Sequence, residues 1–282
     1  MSTNIIADIF NSIANVTDSI SNAIINIREP YGLNKSICEG HKTIIEKVVS
    51  DPNISDYEKM VFISSYKNNI KKYKNVKNII DECRPMLNNE ADPKSIDEDW
   101  ADLFFEKASC TSKEEIKCLW SKILASEINN PNTITKTLLH TISIIGVKEA
   151  EAFAVICKLD FEDIKDKSLY HPFVFFAGYN EYYKGIGLDE STLKSLDRLG
   201  LIEFCYPQEF AFKKKKVLVY GDKIIEVKNP NICCGNVKFT KDGQILYKII
   251  AADNQIFDDS IFDFIIGRLK YRKNKIVINE KH

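Results

Sequence analysis

The stretch from Ser95 to Leu159 constrains the fold most, because it holds two helix-start patterns, both tryptophans and several apolar stripes in one continuous run. Ser95 with Glu98, and Ser112 with Glu115, follow the S-x-x-E pattern in which hydroxyl and carboxylate satisfy free amides at a helix start. The pattern predicts helices from about Ile96 to Ala108 and from about Lys113 to Ile128. Trp100, Leu103, Phe104 and Lys107 recur at helical spacing in the first; Ile116, Leu119, Trp120, Ile123 and Leu124 do so in the second. Both tryptophans are therefore expected in the core. The acidic run Asp97, Glu98, Asp99 and Asp102 has the makings of a metal or acid/base cluster, but negative charge in a first helical turn is what the helix dipole favours, and that reading is adopted. NNPNT then breaks the chain. A third helix is expected from Thr133 or Thr135 to near Gly146, burying Ile134, Leu138, Leu139, Ile142 and Ile145. A fourth runs from about Lys148 to Leu159, burying Ala152, Phe153, Val155 and Ile156. Connections this short imply antiparallel neighbours in a bundle.

The I-D-x-D-W start (Ile96, Asp97, Asp99, Trp100), the L-W-x-x-I-L-A-x-E core (Leu119, Trp120, Ile123, Leu124, Ala125, Glu127) and the N-x-P break (Asn130, Pro131) resemble an uncharacterised bacterial family, a domain of unknown function. The likeness covers roughly residues 28 to 160 and the C-terminal third more loosely. It implies a helical bacterial protein without an established activity. Proteins of this kind are suspected of roles in phage or mobile-element defence.

Upstream, Ile6, Ile9, Ile13, Val16, Ile20, Ala23 and Ile27 recur at alternating spacings of three and four, the seam of a coiled coil. Ile5, Phe10, Ile24 and Ile25 widen the apolar side of this amphipathic helix (1–28), and its only charges before Arg28 are Asp8 and Asp18. Three uses compete: packing within its own subunit, self-association through Ile6, Ile9, Ile13, Val16, Ile20 and Ile27, and peripheral contact with a membrane. The last is least favoured, because lipid-surface helices carry Lys or Arg on the polar face. A helix from about Lys35 to Val49 follows. Its Cys38 and His41 form half a zinc site whose second half occurs nowhere, so no metal is expected. A long helix from Ser55 to about Glu82 has Ile63, Tyr66, Ile70, Tyr73, Val76 and Ile80 as its buried stripe. Lys67, Lys71, Lys72, Lys74 and Lys77 lie opposite, most simply as a solvated face.

Beyond Leu159 the texture becomes aromatic and then strand-like. LDESTLKSLDRLGLIEF reads as a helix burying Leu193, Leu196 and Leu199, capped by Gly200, running into a strand at Leu201–Phe204. A hairpin around Gly221-Asp222 and a further strand and helix complete a pattern similar to winged-helix modules. In such modules the helix before the ribbon faces a DNA groove. Here its outward positions (Asp189, Glu190, Lys194, Asp197, Arg198) are mixed in sign, whereas a groove-reading helix is net basic. Phosphate contact would fall to Lys213, Lys214, Lys215 and Lys216 and to the tail residues Arg268, Lys270, Arg272, Lys273 and Lys275.

The expected architecture is mainly α: an N-terminal and central helical bundle (29–160) followed by a small α+β winged-helix-like domain (161–282). A net charge of −1 gives no global pull toward nucleic acid or anionic lipid. Eight cysteines without scaffold spacing fit reduced thiols in a cytoplasm. No apolar run reaches the ~18 residues that span a bilayer, and no basic n-region precedes the first helix. Phosphate-loop, dinucleotide, nucleophile-elbow and H-E-x-x-H motifs do not occur, and neither His140 nor His171 has a partner with catalytic logic. The sequence thus points to a binding protein without a cofactor, with a homo-oligomer or protein partner. A nucleic-acid-binding regulator using the C-terminal module is the alternative.

Overall fold

The computed structural model describes residues 44–89, 91, 96–111, 113–165, 172–176, 180–251 and 257–280. The seam at Ile6 to Ile27, and Cys38 and His41, lie outside them. The chain is mainly α with small antiparallel sheets. The described residues up to Leu139 form one compact unit and those from His140 a second, a division earlier than the boundary expected at 160/161.

The first unit begins with helix α1 (44–50) and the long α2 (Asp56–Cys83). Ser55 starts α2 with a complete capping box: its hydroxyl takes the Glu58 amide and the Glu58 carboxylate takes the Ser55 amide. Along its length α2 packs on α3 (Glu98–Ser109) and α4 (Glu114–Asn129). Its buried stripe holds Tyr66, Val76 and Ile80 as expected, and also Ile79 and the polar Asn75. The Asn75 amide nitrogen donates to the carbonyls of Ser109 and Thr111, both at 2.8 Å, so a buried side chain closes the end of α3. The helix starts differ from the expected boxes. Helix α3 starts at Glu98, with the Asp97 carboxylate accepting the Trp100 amide at 2.9 Å; α4 starts after Lys113 with no side-chain cap. Asp97 is the better acceptor at that spacing, and it leaves Glu98 in the first helical position instead of the third.

The unit boundary falls inside α5 (Lys136–Ile144). In the second unit α6 (Val147–Lys158) packs on α8 (Glu190–Arg198) and α9 (Lys241–Ala251), which accounts for its grouping with the C-terminal part. Short helix α7 (Asn180–Gly185) precedes α8, and α10 (Asp259–Tyr271) follows α9. Helix α8 ends as expected on Gly200, whose φ of +71° lets the Leu201 amide reach back to the Leu196 carbonyl.

The strands form nested hairpins. The outermost pair is β2 (Ile202–Phe204) with β7 (Val237–Phe239); inside it β3 (Phe210–Phe212) pairs with β6 (Ile232–Gly235). Innermost, β4 (Lys216–Tyr220) and β5 (Lys223–Val227) join through the two-residue Gly221-Asp222 turn. That last hairpin is built into a four-stranded sheet, in the order β1-β4-β5-β8, with β1 (Glu162–Asp163) and β8 (Ile276–Glu280) at its edges. Phe161 anchors the core beneath it, with ring centroids 5.1 Å from Phe173, 4.6 Å from Tyr220 and 6.2 Å from Phe262. The aromatic segment of the sequence is thus packing material: Phe161, Phe173, Phe175, Phe176 and Tyr183 are all buried.

Candidate interaction surfaces

The residues that carry the family resemblance are structural in this fold. Asp97 caps α3 and is held 3.1 Å from the Lys136 ammonium, which keeps its carboxyl below the usual range, helped by the Trp100 amide. Trp100 donates its indole N–H to the Ile134 carbonyl at 3.0 Å. Glu127, 2% exposed, grips the break after α4. One of its oxygens accepts from Asn132 at 2.7 Å; the other accepts from Thr133 at 3.2 Å and from Ile134 at 2.8 Å. The acidic run is therefore a helix start with a lysine partner. Among the described residues no group of three or more His, Cys, Asp or Glu side chains is placed to hold a metal ion.

The basic candidates separate into two kinds. Lys216 is ion-paired with the buried Asp163 carboxylate and lies 4.9 Å from the Phe212 ring centre. Arg272 makes two hydrogen bonds to Glu209, at 2.9 and 2.7 Å, and stacks 4.8 Å from the Phe175 ring, holding the end of α10 to the loop before β3. That pairing keeps the Glu209 carboxyl below its ordinary range. Arg268 lies 4.6 Å from the Tyr271 ring. By contrast Lys213, Lys214 and Lys215, at the corner between β3 and β4, are exposed, as are Lys270 and Lys273. On α8 the outward Lys194 pairs with Glu190 at 2.7 Å, Asp189 is the N-cap and Asp197 accepts the Phe204 amide, so this helix presents no net positive face. The innermost hairpin, which would be the free tip of a wing, is occupied by its sheet neighbours β1 and β8.

The first unit carries an apolar surface that periodicity did not single out. Tyr57, Met60 and Val61 on the first turns of α2 are 71%, 60% and 46% exposed, and Val49 on α1 is 49% exposed. Beside them runs a groove of about 460 Å³ lined by Val49 on α1 and by Asp56, Lys59, Met60, Ile63, Ser64 and Lys67 on α2. Positions 56, 59, 60, 63 and 67 share one face of a 3.6-residue helix. The available signal was the excess of apolar residues in the first turns of α2: Tyr57, Met60, Val61, Phe62 and Ile63 are more than one buried stripe can use.

A family model described as "Protein of unknown function (DUF2806)" matches residues 64–257, which is more than half of the chain and reaches well into the second unit. No curated protein and no solved structure matches the chain.

Proposed function

The chain belongs to the DUF2806 family of proteins of unknown function, so its action has to be argued from its own surfaces, and we propose that it works by binding, through self-association and capture of a protein partner, without catalysis. The observation that carries this reading is the exposed set of Tyr57, Met60, Val61 and Val49 beside an apolar groove. Contiguous exposed apolar side chains rimmed by polar ones mark interaction sites. The apolar seam at Ile6, Ile9, Ile13, Val16, Ile20 and Ile27 supplies a second such surface in the sequence. A bacterial cytoplasm, with a role in phage or mobile-element defence, is the setting that the family likeness suggested, and the seven described cysteines, all free, suit a reducing compartment. No described helix is long and apolar enough to cross a membrane.

Ile13→Asp in the full-length protein, and deletion of residues 1–27, are expected to lower the mass measured by light scattering while far-UV circular dichroism keeps its helical signal. An unchanged mass in both would overturn self-association. Loss of liposome binding, with mass unaltered, would move the segment to a membrane role.

One observation favours a second reading, nucleic-acid binding by a winged-helix-like second unit: Lys213, Lys214 and Lys215 are consecutive and exposed, and have no ion pair among the described residues. With α8 neutralised, only weak binding without sequence preference follows. Replacing the three lysines by Gln is expected to lower the slope of log K against log salt by roughly 3, the share of three phosphate contacts. Sequence-specific binding that survives the replacement would instead make the protein a regulator reading bases elsewhere.

A further inference from the structure

We infer that the groove along α2 is the docking site for residues 4–27 of the same chain, an inference that rests on the reading of that segment as a binding helix and leaves Tyr57 and Val61, outside the groove lining, as the exposed apolar residues for a partner. Three features of groove and segment match. The first is length. The groove runs from Asp56 to Lys67, a helical rise of roughly 17 Å, and the seam from Ile6 to Ile20 rises about 21 Å as a helix. The second is chemistry. Met60, Ile63 and Val49 form apolar walls, with room between them for a few aliphatic side chains, and from Ile6 to Ile20 the seam offers an isoleucine or valine at every turn. The third is charge. The segment's only charges before Arg28 are Asp8 and Asp18, and the groove's lining carries Lys59 and Lys67 against the single carboxylate of Asp56, leaving it net positive. As helices these pairs are separated by roughly 15 Å and 12 Å, a mismatch that lysine side chains absorb.

The tether decides between this chain and a second copy. Residues 28–43 join the segment to α1, and α1 itself contributes Val49 to the groove wall. A link of that length spans roughly 24 Å if helical and at most about 53–58 Å if extended, so in either form it is long enough to reach the groove. It holds the segment at an effective concentration in the millimolar range, above ordinary protein concentrations, so the chain's own segment outcompetes another's. Docking on the seam side would leave Phe10 and Ile25, the apolar positions farthest from the seam on a 3.6-residue helix, as the surface through which copies associate.

Hydrogen exchange on the full-length protein at several dilutions tests this, with Met60→Glu as the probe, since the 60% exposure of Met60 spares the fold. Amides of residues 4–27 are expected to be protected to the same degree at every dilution. Met60→Glu should reduce that protection by roughly tenfold or more, the equilibrium equivalent of losing one well-buried apolar side chain, with α3 and α4 amides unchanged. The charge reversal Lys59→Glu with Lys67→Glu should act in the same direction. Protection that falls on dilution would overturn the inference in favour of a second copy's segment. Unprotected amides in the wild type, or protection indifferent to Met60→Glu, would overturn it outright. A wild type that stays monomeric with Met60-dependent protection would sustain the docking while removing self-association.

Discussion

Trp120→Ala is expected to destabilise the first unit by about 3–5 kcal/mol, as for a large aromatic truncated in a packed core. The side chain is fully buried, meets Phe104 edge-on at 5.3 Å between centroids, and donates its indole N–H to the Thr111 hydroxyl at 2.9 Å. Phe104 in turn stacks on Trp100 at 5.2 Å, so the three rings tie α3 to α4. Removing the ring at the α4 end of that series leaves a cavity against Phe104 and takes the indole donor away from the Thr111 hydroxyl. Trp120→Phe should cost less, since it keeps a ring against Phe104 while giving up the N–H and part of the indole volume. Urea denaturation followed by circular dichroism reads both. A midpoint for Trp120→Ala equal to that of the wild type would show that this core does not hold the unit together.

The second large effect is expected at Glu127, where Ala should cost roughly 2–4 kcal/mol through amides left without an acceptor. Its carboxylate is the acceptor for three successive backbone N–H groups, one of them buried at Ile134. Those bonds hold the break between α4 and α5 in a shape that includes Asn132 at a φ of +63°. Glu127→Gln should fall between wild type and Ala, because its amide nitrogen must face at least one N–H that needs an acceptor. Equal stability of the Ala variant and the wild type would mean that water serves the three amides as well as the carboxylate does. Spectroscopically, the loss should appear in the environment of Trp100, whose indole bonds the carbonyl of Ile134 at the end of that same loop.

The sequence by itself determined the existence and approximate extent of α2, α3, α4, α5, α6 and α8, the inward position of both tryptophans and the Gly221-Asp222 hairpin. All of these are set by local periods of 3.6 or 2 residues, or by a turn of two residues, which the chain carries within a short window. It also predicted a mainly α chain and a family of unknown function. Tertiary structure alone decided which polar side chain each neighbour takes. Asn75 reaches Ser109 and Thr111, Lys216 reaches Asp163, and Arg272 reaches Glu209, each across more than thirty positions of sequence. No period records such pairs, so four lysines that look equivalent in sequence become three exposed cations and one ion pair. The same holds for the innermost hairpin, which reads as a free wing until β1 and β8 are found beside it. It holds again for the groove at Met60: an apolar residue on a helix tells which side could be buried, whereas what covers that side depends on elements that the pattern of one helix cannot see.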